Sequence, residues 1–513
     1  MTKRSVHIVL CLLLLGCILI FPASLLMAQF SIGPGGWVTV KAGGSMMIGT
    51  DVHIKSVAGA SGYLVDQNVN GDIDITGDVT VDRYMTGNEW HNVSSPVSDE
   101  TSSIYTGTDL VFWYNEALIL NDWNFGWVWY SGATGGPLME FRGYDVYFVN
   151  NSITISYQAT GTETLNTGPY SITVINTSST PGEIPSHKGW NLLGNPYPSP
   201  VDWLAASGWN KASINDAKYI WDGANDIYTI FVGGGSPYGL NGGTRFIPSN
   251  QGFWVQSVVA SGSVSINNAT RVGDITGTPD FYKTDPVDYP VVCLLASGNQ
   301  RQDEAVIRFI EGTTPGFDLN FDATKLFSPS ESVPQVSIVQ SKQVFALNTL
   351  PEITDNLEIK LGFQCGTSGY YSLSLTDRTN LDPFTPVYLK DELLQKVVPF
   401  SIGSPYHFYH SVQNKKDRFK LYFNPSDDII NNISPGNWFS IYTRGNLIKV
   451  VKNTSNSVSG NIFVYNLLGQ PIVTEYLNDE NELEIRTDLP SGNYIVVIIT
   501  DQSIYTEKVV IIN

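Results

Sequence analysis

From residue 37 to residue 85 apolar and polar positions alternate in short runs. Trp37-Val38-Thr39-Val40, Ser45-Met46-Met47-Ile48, Val52-His53-Ile54, Ile73-Asp74-Ile75 and Val79-Thr80-Val81 are separated by Gly43-Gly44 and Asn70-Gly71. A period of two broken by glycine and asparagine is a strand-and-turn pattern. Strands this short predict a small solenoid-like or sandwich cap over 29–87. Further along, Trp90-His91-Asn92-Val93-Ser94-Ser95-Pro96 recurs as Trp190-Asn191-Leu192-Leu193-Gly194-Asn195-Pro196. Each copy is followed by an aromatic run, Val111-Phe112-Trp113-Tyr114 and then Tyr219-Ile220-Trp221. A Gly-aromatic run comes next, Gly143-Tyr144-Asp145-Val146 and then Gly252-Phe253-Trp254-Val255; Ile153-Thr154-Ile155 is finally echoed by Val264-Ser265-Ile266. Four elements repeated in one order predict two tandem β modules over 88–272, packed together because each is small for a core of its own.

A polar, proline-bearing stretch at 273–287 reads as a linker. Apolar runs such as Val291 to Leu295 and Ala305 to Ile310 then predict a β-sandwich domain over 288–424, followed by a short joint at 425–437 and a final domain at 438–513. Helical periodicity is nearly absent. The expected fold is all-β and multi-domain, built of sandwich and solenoid-like modules.

Composition narrows the function. Charged residues make up 15% of the 513, against roughly 25% in an average soluble domain, and the net charge is −19. Nucleic acid is an improbable partner for a chain without clustered Lys and Arg. Lys3 and Arg4, an apolar run from Ile8 onward and the end Leu26-Met27-Ala28 before Gln29 predict a secretory signal peptide over 1–28, with export through the periplasm to the cell surface or the medium. A membrane-spanning helix and a lipoprotein box at Leu14-Leu15-Gly16-Cys17 are the competing readings. Cys293 and Cys365 would then remain, as a disulfide or, more simply, as two buried thiols.

The carboxyl end carries the most specific pattern. Phe463-Val464-Tyr465-Asn466-Leu467-Leu468-Gly469, Ser491-Gly492-Asn493-Tyr494-Ile495-Val496 and Lys508-Val509-Val510-Ile511 occur in that order. These closely resemble the type A sorting domain of the type IX secretion system of Bacteroidetes, with its Tyr-Asn-x-x-Gly turn, Gly-x-Tyr strand and terminal Lys before β-branched residues. The resemblance implies an immunoglobulin-like β-sandwich read by the outer-membrane translocon and commonly removed by a surface sortase. It places the recognition signal on Gly469, Gly492, Tyr494 and Lys508. Arg83-Tyr84, the Trp-x-x-x-Ser-Pro and Gly-Trp-Asn-Leu-Leu-Gly-Asn-Pro-Tyr-Pro stretches, Gln251-Gly252-Phe253, and Asp303 to Phe309 with Asp318 and Asp322 to Lys325 resemble large, mostly uncharacterised Bacteroidetes surface proteins. That resemblance spans about residues 80 to 424 and implies no activity.

No nucleophile elbow, phosphate loop or dinucleotide fingerprint is present, and His407 and His410 lack the Glu of a zinc-protease helix. Asp66, Asn68, Asn70 and Asp72 alternate around Gly71 as oxygen ligands do in calcium loops, but Gly77 stands where a bidentate acid belongs. A polar hairpin turn competes with the calcium reading. Asp318, Asn320 and Asp322 form a weaker candidate, for which an Asp322 to Lys325 ion pair is an equal account. On a strand, Trp123, Phe125, Trp127 and Trp129 would share one face. Buried, that face is core; exposed, it is a stacking platform for sugars. The leading expectation is an exported adhesive or glycan-binding protein. An extracellular polysaccharide hydrolase and a purely structural surface protein are the rivals.

Overall fold

In the computed structural model the described residues are 29–511, apart from 106–109, 120–122, 131–134, 150, 161–163, 179–186, 274, 276–287, 341–342, 427–438, 453–457 and 501–503. The predicted signal peptide and most of both linkers therefore lie outside the described residues. Regular structure within them is β-strand, with four short 3-10 turns and no α-helix. The chain is a multi-domain all-β protein.

Residues 29–85 wind as a solenoid. Gln29–Ile32, Asp51–Ile54 and Val79–Met85 stack in parallel along one side, Trp37–Val40 against Tyr63–Asp66 along a second, and Met46–Ile48 against Ile73–Ile75 along a third. Alternation explains the inside: Val52, Ile54, Ile48, Leu64 and Val81 are buried. The last solenoid strand, Val79–Met85, also pairs antiparallel with Ile153–Ala159 and so ties the solenoid to the first β module.

Two further sheets share one strand order. In the first, Trp90–Val93 lies beside Tyr144–Tyr147, then Val111–Tyr114, then Trp127–Trp129. The second runs Trp190–Gly194, Gly252–Gln256, Ala217–Asp222, Ile227–Val232 and adds Tyr238–Leu240. Registers correspond as well, Trp90 opposite Tyr147 and Trp190 opposite Gln256.

The sheets meet along a reciprocal seam. Val93 bridges Gln251, while Leu193 bridges Arg142. Ser94 N donates to the Asn250 carbonyl and Gly194 N to the Phe141 carbonyl, each at 3.1 Å. Both acceptors sit at the same left-handed backbone angle, φ 60°. For Phe141, a buried aromatic residue, that conformation is uncommon and needs surrounding structure to hold it. Glycine is required at this approach: a Cβ on Gly143 would lie 2.6 Å from the Leu193 carbonyl oxygen, and one on Gly252 would lie 2.9 Å from the Asn92 backbone.

Beyond the first linker, one eleven-stranded sheet curls over on itself where the sequence suggested two facing sheets. Val292, Leu294, Ala305 and Ile307 point into its core, whereas Val291, Cys293 and Val306 pack outward against Trp190, Tyr219 and Trp254 of the second module. Burial on both faces accounts for the unbroken apolar runs at these strands. The sheet's ends come together at a polar clasp. Arg418 donates from Nε to Asp391 Oδ1 at 2.9 Å and from Nη2 to Oδ2 at 2.6 Å, and the Tyr406 hydroxyl donates to Oδ2 at 3.0 Å. Phe408 packs on Phe419 beside it, ring centroids 4.8 Å apart.

The final unit, Phe439–Arg444 to Ile504–Ile511, is a sandwich of a three-stranded and a four-stranded sheet around Ile462, Val464, Ile485, Val496 and Ile498. Its connectivity is immunoglobulin-like. The Tyr494 hydroxyl donates to the Pro490 carbonyl at 2.8 Å, the corner bond of such sandwiches.

Both charges of the Arg418–Asp391 pair are almost wholly buried. Removing one partner strands the other in a low-dielectric interior. Asp391→Ala is expected to cost about 3–5 kcal/mol in denaturant unfolding, whereas breaking the solvent-screened Lys449–Glu482 pair is expected to change the unfolding midpoint little. Equal effects would show that the clasp does not hold the curl closed.

Candidate functional site

One face of the first module's sheet is set by strand alternation. Val93, Tyr144, Val146 and Val111 point to the solenoid side and form its core. Trp90, Asn92, Asp145 and Phe112 point the other way and line a cavity of about 260 Å³. Asn92, Asp145 and Phe112 are direct neighbours across three strands. Trp127 and Asn124 close one side, Trp221 and Tyr228 of the second module another, and Pro329 of the curled sheet unit a third.

The floor is polar and organised. Asn92 Nδ2 donates to Asp145 Oδ1 at 2.8 Å, and Asn92 Oδ1 accepts the indole N–H of Trp254 at 3.1 Å. Asp145 is 9% exposed. Burial pushes its carboxyl well above the usual carboxylate range, and the Asn92 amide pulls only part of the way back. Burial and the neighbouring Asp145 likewise push the Tyr228 phenol up. Trp221 carries a buried N–H with no acceptor among the described residues.

The second module supplies a comparison. The positions corresponding to Asn92 and Asp145 are Leu192 and Trp254, facing one another in register and buried in apolar core. The sheet therefore does not need a polar pair there. Burying a carboxyl and an amide where Leu and Trp suffice costs stability, a cost that the Asn92 bonds to Asp145 and to the Trp254 indole offset in part.

The sequence-derived candidates fare unequally. Trp123–Gly126 forms a 3-10 turn, and only Trp127–Trp129 is strand, so the four-residue aromatic face is corrected. Gly126 packs against the Tyr114 ring, where a Cβ would come within 2.5 Å, and its carbonyl accepts from Asn115 N; Asn and Gly are also poor strand formers. The side chains of Trp123 and Phe125 lie outside the described residues. Trp127 is half-buried in the cavity wall, and Trp129 is 59% exposed at the sheet edge.

At the calcium candidate Asp66, Asn68, Asn70 and Asp72, the Asp66 carboxylate is engaged within its own turn. Asp66 Oδ1 accepts from Asn68 N and Asn68 Nδ2, and its Oδ2 accepts from Asp72 N. Those oxygens cap their own turn, and the described residues contain no group of three or more His, Cys, Asp or Glu placed for a metal. Asp322 is spent similarly, accepting from Thr349 N and Asp318 N, with burial pushing its pKa to about 7. Lys325 pairs with Asp303, not with Asp322. Cys293 and Cys365 are buried thiols and not a disulfide. His410 is buried and bonded to the Cys365 carbonyl, and His407 is exposed.

In the last sandwich, Gly469 closes the Asn466 turn at φ 78°, Gly492 opens the strand leading to the buried Tyr494, and Lys508 is exposed on the terminal strand. Tyr494 thus has a structural duty of its own in the corner bond.

Sequence reading passed over Asn92 and Asp145. The signal for them is the mismatch between the two copies, Trp-His-Asn against Trp-Asn-Leu and Gly-Tyr-Asp against Gly-Phe-Trp.

With its folded pKa raised, Asp145 contributes stability in full below the unfolded value of about 4, and that contribution is lost as pH rises toward the folded value. Asp145→Asn keeps an acceptor for Asn92 and removes the titration. Thermal unfolding is expected to show the variant gaining on the natural protein as pH rises above about 4; parallel curves would contradict the raised carboxyl.

No curated protein matches this chain. A domain of unknown function, DUF8693, matches residues 19–423, ending with the last strand of the curled sheet, Phe419–Phe423. The solenoid, the paired modules and the curled sheet together make the chain a member of the DUF8693 family.

Proposed function

We propose that this is a surface or secreted protein, exported by the type IX secretion system, that binds a glycan or similar surface ligand through the cavity of its first module. The observation that carries the binding reading is the aromatic cavity with the Asn92–Asp145 floor, at positions the second module fills with Leu192 and Trp254. Aromatic walls supply large contact area, and a few fixed polar groups orient what enters. Export is supported by the amino-terminal signal pattern and by the carboxyl-terminal turn, Gly-x-Tyr strand and lysine.

A polysaccharide hydrolase needs two carboxyl groups facing each other across the scissile bond. Asp145 is the one acid among the described lining residues. A purely structural protein leaves the cost of the buried polar pair unexplained.

Two measurements test the proposal. Deleting 438–513 is expected to leave the protein in the periplasm, and unchanged surface display would overturn the export route. On a glycan array, Trp127→Ala is expected to reduce binding about tenfold or more, as loss of a stacking wall does; undiminished binding would remove the cavity from the function.

A further inference from the structure

We propose that the group entering the first module's cavity is a quaternary ammonium, enclosed by aromatic rings and paired with the carboxylate of Asp145. This rests on the cavity being the ligand site and names the chemistry that fills it.

Shape is the first argument. Trp90 and Phe112 meet at 60°, Phe112 and Trp127 at 75°, and Trp221 and Tyr228 at 61°. Rings at such angles, contributed from two modules, build a box and not a flat platform. Aromatic boxes recognise quaternary ammonium through the negative faces of their rings. The volume of about 260 Å³ is below the about 300–1,000 Å³ of sites for drug-sized ligands, so it suits a compact head group with a short tail.

Charge is the second. Among the described residues no Lys or Arg lines the cavity, and Asp145 is the only charged one that does. One of its oxygens accepts from Asn92. A ligand cation would supply the missing counter-charge for its ionised form.

Hydrogen bonding is the third. A primary ammonium needs three acceptors, whereas five of the nine lining residues are aromatic and Asn92 is already bonded through both ends of its amide. A fully alkylated ammonium needs none.

Tyr228 is the titratable side chain facing Asp145 from the second module, while Asn92 and Phe112 flank it on its own sheet. None is charged near neutral pH. A permanent cation cannot give up a proton, so binding draws one from Asp145 alone.

The test is calorimetry of the full chain with choline, at about pH 6 and about pH 8 and in two buffers of different ionisation enthalpy. Choline is expected to bind more tightly at the higher pH and to release protons as it binds at the lower. The neutral isostere 3,3-dimethylbutan-1-ol and the variant Asp145→Asn are each expected to weaken binding about tenfold or more. Equal affinity for the isostere, an unchanged affinity in Asp145→Asn, or no binding of choline would overturn the inference. Neutral oligosaccharides bound through Trp127 while choline is ignored would overturn it and leave the glycan reading standing. Phosphatidylcholine vesicles and a phosphocholine-substituted oligosaccharide, each challenged with free choline, separate a lipid source from a glycan source.

Discussion

The seam between the two modules is the constraint on which the rest of the molecule depends. Each sheet alone has an unfinished corner where a strand end and a glycine-bearing turn leave backbone groups unpaired, and each corner is completed by its counterpart. Because the contacts are reciprocal, one geometry is stabilised twice. The same close approach sets Trp254 against Asn92 and brings Trp221 and Tyr228 over the first module's face. Without the seam the cavity loses a wall, since Trp221 and Tyr228 belong to the neighbour.

Once that corner is fixed, the two modules diverge in what they do with equivalent faces. The second turns its face into the curled sheet and fills it with Trp190, Leu192, Tyr219 and Trp254. The first leaves part of its face open and lines it with an amide and an acid. The difference is one of chemistry at matched positions, which is why it can be read without any other protein for comparison.

Much of the architecture was legible in the chain. Period-two alternation and glycine turns gave the solenoid strands, and the Trp90 and Trp190 segments fall at matching registers in matching sheets. The curl of the large sheet was not legible, because strands buried on both faces look alike whether they lie in a sandwich or in one closed surface. Its deciding residues, Asp391, Tyr406 and Arg418, are scattered in sequence and meet only in space. The aromatic run failed for a local reason: Gly126 breaks the strand, and alternation carries no warning of a turn that packs against Tyr114. Asp145 was hidden differently, as one acid among the 48 Asp and Glu of an acidic chain. Only its partner's position in the other copy marks it out.

The clasp in the curled sheet has a mechanical meaning. A pull on the carboxyl-terminal sandwich is transmitted to the rest of the chain through Phe419–Phe423, which runs between Val387–Asp391 and Leu357–Gln364 with antiparallel ladders on both sides. Tension along that strand loads both ladders in shear, so their hydrogen bonds resist together and do not open one at a time. Arg418 lies at the strand's inner end, tied to Asp391 on one neighbour and to the Tyr409 carbonyl across the closure. It anchors the last point that would have to slip before the family domain came apart.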